Sequence, residues 1–201
     1  MQINTRQYRV NGGMLKIIAT VAMFIDHLAF TFYAVIPETL YAAMRIAGRA
    51  AFPLYILLLT MGYKHTRSPR TYAVRLLILA VLSEIPYDLM TGRTLCNMGN
   101  QNVVWTLLLS LIMLYVLDEL KKRGRDNIWA MAGVLAAACL IGVCMKSDYG
   151  CEGPLFSFIA SRFDVTYSDQ KRPGAVFRYA FYAFYPVHML VLSLLRDMCI
   201  G

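Results

Sequence analysis

Six long apolar stretches, separated by short polar connections, dominate this sequence. A helix needs about 20 predominantly apolar residues to cross the hydrocarbon core of a bilayer. The stretches occupy residues 15–36, 40–63, 72–90, 103–120, 128–145 and 175–199. A further apolar stretch, 153–160, is too short to cross unaided and predicts a half-length or re-entrant helix. The predicted fold is therefore all-α: a polytopic transmembrane helix bundle with about six full spans and one short helix.

The composition agrees with a lipid environment. Of the 201 residues, 58% are apolar and 16% are charged, whereas about a quarter of a soluble domain is charged. No Gly/Ser-rich or Pro-rich linker and no internal repeat divides the chain, which predicts a single integral membrane domain over residues 1–201. No small-residue cleavage site follows the first apolar stretch, so we expect that helix to remain in the mature protein.

Connections rich in Lys and Arg alternate along the chain with connections that are poor in them. This pattern predicts the orientation of the protein in the membrane. Cytoplasmic connections of membrane proteins are enriched in Lys and Arg, so the N-terminus is predicted to be cytoplasmic and the protein to lie in the cell (inner or plasma) membrane. The same rule accounts for the net charge of +8, so a nucleic-acid partner is not needed to explain it. The sequence also shows no pattern of a nucleic-acid-binding module. The connections poor in basic residues hold Arg93, Lys146 and, in the first of them, no Lys or Arg but Glu38. The connections rich in basic residues hold Arg6 and Arg9; Lys64, Arg67 and Arg70; Lys121, Lys122, Arg123 and Arg125; Arg162, Lys171 and Arg172.

The five cysteines are scattered, and none forms a C-x-x-C pair. No metal site is predicted, because structural zinc sites usually contain such pairs. The simplest interpretation is that the cysteines are small apolar residues that pack in the protein interior. A disulfide between Cys96 and Cys151 would require that their loops face an oxidising compartment.

Ionisable and amide side chains interrupt several of the apolar stretches. Such groups are costly inside a bilayer, so they are expected to face the bundle interior and to mark function. Lys16, Thr20, Met23 and His27 share one face of the first predicted helix, since eleven residues are close to three turns. The remaining polar residues lie in the outer half of the bilayer in the predicted topology, where they could line one pocket. They are Arg45, Arg49, Glu84, Asp88, Gln101 and Asn102.

Each of these residues also has a purely structural interpretation. Arg45 and Arg49 could neutralise Glu84 and Asp88 as buried ion pairs that only hold the helices in register. His27 could be a core histidine hydrogen-bonded to Asp26 or to another helix. His188, in FYPVH, could belong to an interfacial aromatic segment. The topology rule alone accounts for Lys64, His65, Arg67, Arg70 and Arg75.

A set of motifs in a fixed order resembles the TraX family, membrane proteins related to the fimbrial acetyltransferase that N-acetylates conjugative pilin. The motifs are LKIIATVAMFIDHLAF, RIAGRAAFPLYILLLTMGYKHTRSPRTYAVRLLILAVLSEIPYDL, QNVVWTLLLSL, SDYG and FYAFYPVHMLVL. Between SDYG and FYAFYPVH the chain departs from the family pattern, because it lacks the full apolar span usual there. The spacing of Lys16 and His27 is also similar to that of a basic residue and a histidine in the wider class of membrane-embedded acyltransferases.

The resemblance implies transfer of an acetyl group from acetyl-CoA to an amine of a peptide or protein acceptor. A peptide amine must lose a proton before it attacks a thioester, and His27 is the expected base, with Asp26 or Asp88 orienting its ring. Arg49, Asn102 and Gln101 are expected donors to the oxyanion. The phosphates of the coenzyme need a group of basic residues on the inner face of the membrane. The residues expected to contact substrate or coenzyme are Lys16, Arg45, Lys64, His65, Arg67, Arg75, Glu84, Asp88, Gln101 and His188.

The residues leave two other classes of function open. The first is an O-acetyltransferase for surface glycans or lipids, which would use the same site. The second is a non-enzymatic transporter or assembly subunit, in which the buried charges carry protons or fix helix packing. A transferase should release CoA in proportion to the acceptor it modifies, and a transporter should not consume acetyl-CoA.

Overall fold

A computed structural model of the chain describes residues 8–92, 94, 95, 97, 99–163, 165–167 and 175–200. Arg6, Arg93, Cys96, Lys171 and Arg172, which entered the charge and cysteine arguments, lie outside these residues. Helices make up most of the described chain, which confirms the predicted helical fold. The elements are β1 (Tyr8–Val10), α1 (Gly12–Thr31), α2 (Glu38–Arg49), α3 (Ala51–His65), α4 (Pro69–Gly92), α5 (Val103–Lys122), α6 (Ile128–Cys144), α7 (Glu152–Arg162), β2 (Val165–Tyr167) and α8 (Ala175–Cys199).

Three helical stretches meet the length and apolarity needed to cross a membrane: α1, α2 and α3 taken together (Glu38–His65), and α5. Helix α6 is apolar but shorter. Helices α4 and α8 have 24 and 25 residues, but Arg75, Glu84 and Asp88 interrupt the first, while His188 and Arg196 interrupt the second. The chain therefore has the character of a membrane protein, and the count of six full spans stays a prediction.

Asparagine side chains define the starts of three helices. The Oδ1 atoms of Asn11, Asn102 and Asn127 accept hydrogen bonds from backbone N–H groups of α1, α5 and α6, at 2.7–2.9 Å. These bonds satisfy N–H groups that have no partner inside the helix. The observed starts of α5 and α6 coincide with the predicted ones for this reason.

The second apolar stretch, predicted as one helix over 40–63, is divided at Ala50. The N–H of Ala50 bonds to the carbonyls of Ala47 and Gly48 rather than four residues back. Pro53, in the first turn of α3, has no N–H to offer the carbonyl of Arg49. The helix therefore ends at Arg49 and a new one begins at Ala51.

The contacts group the described residues into two compact units. The first unit contains β1, residues 56–80, α5, α6, α7 and β2; the second contains α1, α2, residues 51–55, residues 81–97 and α8. In the first unit β1 pairs in parallel with β2, Tyr8 opposite Val165, a pairing that was not predicted. In the second unit α1 packs against α2 and α8. The single domain over residues 1–201 stays a prediction.

Helix α7 packs against α5 in the first unit through a small residue. Its 11 residues span about 16 Å at 1.5 Å per residue, which matches the predicted half-length helix. Gly153 lies so close to α5 that a Cβ would overlap the side chain of Thr106 and lie 3.2 Å from Oγ of Ser110. Glycine is therefore the residue that lets the two helices approach this closely.

We predict that Gly153→Ala destabilises the protein by about 1–3 kcal/mol, because the added methyl group overpacks the contact with Thr106. Gly133→Ala, in α6, is the matched control: a Cβ there meets nothing within 4 Å, and alanine is favoured over glycine in a helix by up to about 1 kcal/mol. Thermal unfolding in detergent, followed by circular dichroism, measures both. Equal loss of stability in the two variants would contradict this description of α5 and α7.

Candidate functional site

The centre of the candidate site is a pair of histidines in the second unit. His27 on α1 and His188 on α8 lie with Nδ1 of His27 2.7 Å from Nε2 of His188. Their ring planes are within 5° of each other and the ring centroids are 4.9 Å apart. That separation is nearly the N···N distance plus the two ring radii, so the rings lie end to end in one plane rather than face to face. This is the geometry of an in-plane N–H···N hydrogen bond.

A second hydrogen bond fixes His188. Its Nδ1 lies 2.7 Å from the carbonyl oxygen of Phe184, one turn earlier on α8. The Phe184 ring stacks on the imidazole with centroids 4.7 Å apart and planes within 11°. Phe24 and Tyr185 also pack against the pair, with their ring centroids about 6 Å from the imidazoles. His188 is 5% exposed, so its side chain is buried among protein atoms, and the interpretation of FYPVH as an interfacial aromatic segment stays a prediction.

An ion pair lies next to this histidine pair on the chain. Nη1 of Arg45 donates to Oδ2 of Asp26 at 2.7 Å, and the two side chains are 21% and 17% exposed. Arg45 also lies over the Phe30 ring, 5.6 Å from its centroid. Helices α1 and α2 approach closely here because Gly48 has no side chain: a Cβ would overlap that of Asp26.

The pairing differs from the expectations for Asp26 and Arg45, whereas the hydrogen bond of His27 to another helix agrees with the structural interpretation of that residue. Asp26 was a predicted orienting group for His27, but adjacent helix residues diverge by about 100°, and the Asp26 carboxylate faces Arg45 instead. The partner of Nδ1 of His27 is His188. The predicted pairing of Arg45 with Glu84 or Asp88 is replaced by its bond to Asp26. Arg49, one turn further along α2, is exposed.

Two predicted acids lie on α4 within the second unit. Asp88 is 2% exposed, and its Oδ2 accepts a hydrogen bond from the backbone N–H of Asn97 at 2.7 Å. Among the described residues its Oδ1 has no hydrogen-bond partner. Glu84, one turn earlier, is partly buried. Asp88 therefore ties the loop after α4 to the helix, and no contact with His27 supports the alternative that it orients that ring.

The predicted oxyanion donors Gln101 and Asn102 belong to the first unit. Both polar atoms of the Asn102 amide are hydrogen-bonded: Oδ1 accepts from the N–H of Val104, and Nδ2 donates to the carbonyl of Ala80 at 2.9 Å. The backbone of Gln101 pairs with the 146–148 segment, its N–H with the carbonyl of Lys146 and its carbonyl with the N–H of Asp148. Asn102 thus has a structural task as a helix cap.

The basic residues predicted to form the mouth for the coenzyme phosphates are divided between the units. Lys16 lies in the second unit, and the first unit holds Lys64, His65, Arg67 and Arg75. Lys64 donates to the carbonyl of Phe163 at 2.7 Å, and Nδ1 of His65 lies 2.8 Å from the carbonyl of Met61. Arg67 and Arg75 are exposed. The first unit also holds a small cavity of about 70 Å³, which none of the predicted site residues lines: its walls are Pro69, Arg70, Ala73, Leu111, Ile112 and Tyr115.

Arg196, which the sequence interpretation did not single out, is the most buried arginine described, at 7% exposure. Its guanidinium donates to the carbonyls of Met90 and Leu89 at 2.7 and 3.0 Å and forms a 2.9 Å ion pair with Asp197. A cation is favourable at the last carbonyls of a helix, here α4. The available signal was an arginine at the end of a long apolar helix.

Comparison with known proteins gives two findings. The family model described as TraX protein matches residues 11–166. The chain is 32% identical over 121 residues to the probable fimbrial assembly protein FimC, serogroup H1, of Dichelobacter nodosus, a match that covers 56% of this chain and 48% of that protein. The chain thus spans about half the length of this curated relative. No solved structure matches.

We predict that Asp26 and Arg45 are energetically coupled. A double-mutant cycle of Asp26→Asn and Arg45→Gln should give a coupling of about 1–3 kcal/mol, because either single change leaves a partly buried charge without its partner. The matched control is Asp118→Asn with Lys122→Gln, an ion pair of 3.0 Å whose side chains are 42% and 60% exposed; solvent screens such a pair, so little coupling is expected. Urea or thermal unfolding in detergent measures each cycle. Coupling no larger than that of the control pair would contradict the ion pair's structural role.

Proposed function

This chain belongs to the TraX family, and we propose that it is a membrane-embedded acetyltransferase. It moves an acetyl group from acetyl-CoA to an amine of a peptide or protein acceptor. The observation that carries the proposal is the in-plane hydrogen bond between His27 and His188. Nε2 of His27 is the ring nitrogen that this hydrogen bond does not use, and we assign it to the substrate.

The chemistry that the site must perform is proton removal during acyl transfer. A peptide α-amine, with an unperturbed pKa of about 7.7–8.0, is largely protonated near neutrality. It must release one proton to solvent before its nitrogen can attack a thioester, and it gives up a second proton as the amide forms. An imidazole is suited to accept that proton. In the proposed reaction the neutral amine nitrogen bonds to the acetyl carbon, the carbon–sulfur bond breaks, and the N–H proton that the nitrogen gives up passes through His27 to the CoA thiolate.

The oxyanion of the tetrahedral intermediate needs a hydrogen-bond donor. Of the three predicted donors, Arg49 is the best supported, because it lies in the same unit as His27 and its side chain is exposed. Arg45, one turn before it, neutralises Asp26. Asn102 is a weaker choice, since both polar atoms of its amide already have partners.

The name of the relative supports an acceptor from a fimbrial apparatus. The Dichelobacter nodosus protein is described as a probable fimbrial assembly protein, which fits a pilin-type protein as the acetyl acceptor. The same name favours one rival function, a non-enzymatic role in fimbrial assembly. Consumption of acetyl-CoA separates the two, and peptide, glycan and lipid acceptors compared in one assay separate N- from O-acetylation.

We predict that His27→Gln lowers kcat for acetyl transfer by about 10²–10⁴-fold, the usual contribution of a general base. The assay measures CoA released from acetyl-CoA by the protein in detergent, with acetylation of the acceptor followed by mass spectrometry. Arg125→Ala, which removes an exposed charge outside every predicted site, should keep the wild-type rate. A folded His27→Gln protein with normal turnover would disprove the role of His27, and absence of CoA release from the wild type with every acceptor class would favour the assembly role.

We also predict that Arg67→Ala together with Arg75→Ala raises KM for acetyl-CoA about tenfold or more while leaving kcat nearly unchanged. Hydrogen bonds to charged groups contribute about 1.5–3 kcal/mol, and the coenzyme's phosphates are the charged part of the donor. Arg125→Ala is again the control, because Arg125 is another exposed arginine at a basic connection. An equal rise in KM in the control would mean that the effect is general electrostatics rather than a binding mouth.

A further inference from the structure

We propose that His188 is a positioning residue which, together with the backbone carbonyl of Phe184, holds His27 in the tautomer protonated at Nδ1. This inference deepens the proposed function and rests on it for its catalytic meaning. It assigns His188 a different task from the substrate or coenzyme contact that the sequence predicted. The reacting nitrogen is then Nε2 of His27.

The first step concerns His188. A backbone carbonyl oxygen can only accept a hydrogen bond, so the 2.7 Å contact between Phe184 and Nδ1 of His188 requires a proton on that nitrogen. A neutral imidazole carries a single N–H. The other nitrogen of a neutral His188, Nε2, is therefore an acceptor.

The second step transfers this constraint to His27. Two ring nitrogens 2.7 Å apart and in one plane share one proton. Since Nε2 of His188 is the acceptor, the proton belongs to Nδ1 of His27. Neutral His27 then has its lone pair on Nε2, which is the form that a general base needs. A His188 carrying two protons would reverse the assignment, because its Nε2–H would donate to His27 and force the His27 proton onto Nε2.

The arrangement also keeps the pair intact during the reaction. When Nε2 of His27 accepts the proton of the attacking amine, Nδ1–H continues to donate to His188, and no second proton has to move. When His27 returns its proton to the CoA thiolate, the original state is restored. His188 therefore keeps the same protons throughout.

A neutral partner suits the surroundings of His27 better than a carboxylate would. An unpaired carboxylate among Phe24, Phe184 and Tyr185 would be a buried charge without compensation. The nearby carboxylate, Asp26, is already neutralised by Arg45. A second histidine, backed by a carbonyl, supplies the acceptor without adding a charge.

The tautomer can be measured without any enzyme assay. The chain has three histidines, so selective ¹⁵N-histidine labelling of the full-length protein in detergent gives few signals, which single His→Gln variants assign. We expect His27 to be protonated at Nδ1, with a scalar coupling across the hydrogen bond to Nε2 of His188. A wild-type spectrum in which His27 is protonated at Nε2 would overturn the inference.

Two substitutions at His188 separate positioning from packing. His188→Phe keeps a ring but removes the acceptor; we expect His27 to populate the Nε2–H form and kcat to fall about 10–100-fold, as when the partner that orients a functional histidine is lost, with KM for acetyl-CoA unchanged. His188→Gln places Oε1 near the former Nε2 and should restore the Nδ1–H signal and most of the turnover. Unchanged tautomer and kcat in His188→Phe would overturn the positioning role.

Failure of the proposed function would look different. If the wild type consumes no acetyl-CoA but His27 is protonated at Nδ1 and coupled to His188, the tautomer assignment stands and the acetyltransferase proposal falls. If the wild type acetylates an acceptor while His27 is protonated at Nε2, the acetyltransferase proposal stands and the role of His188 falls.

Discussion

Polar groups that lie away from water must find partners within the protein, and this constraint organises the described part of the second unit. His27 is paired with His188, Asp26 with Arg45, and Arg196 with the last carbonyls of α4. Each pair joins residues from two different helices. The hydrogen bonds of the buried polar residues are therefore also the contacts that set how α1 lies against α2 and α8, so geometry at the candidate site and packing of the unit depend on the same atoms.

Much of the fold could be predicted from the sequence because it depends on local features. The lengths of the apolar stretches placed α5 and α6 almost to the residue, and the short stretch at 153–160 lies within α7. The break at Ala50 was missed although Pro53 signals it, because proline is tolerated in a first turn and the apolar run continues across it. The β1–β2 pair was missed because three-residue strands whose paired residues, such as Tyr8 and Val165, are 157 positions apart leave no periodic pattern.

The candidate site was predictable in composition but not in pairing. His27, Asp26, Arg45 and His188 were all singled out as ionisable residues in apolar helices, and they do lie together in one unit. The sequence could not show that His188, 161 residues away, is the partner of His27, because that contact depends on how α1 and α8 pack. For Asn102 a local signal was available: an asparagine directly before an apolar helix is a typical N-cap, and the catalytic interpretation gave it too little weight.

Only one histidine of the His27–His188 pair lies within the region that the family model matches. The family model covers residues 11–166, which include His27, Asp26, Arg45 and Gly48, whereas His188 lies beyond its end. The part of the site that depends on α1 and α2 is thus contained in the matched region, and the hydrogen-bond partner of His27 lies beyond it. An isolated neutral imidazole has no fixed tautomer, so the proposed base needs an acceptor for its Nδ1–H if Nε2 is to take a proton. In this chain that acceptor is proposed to come from α8, whose FYAFYPVH segment is the last of the motifs that resemble the family.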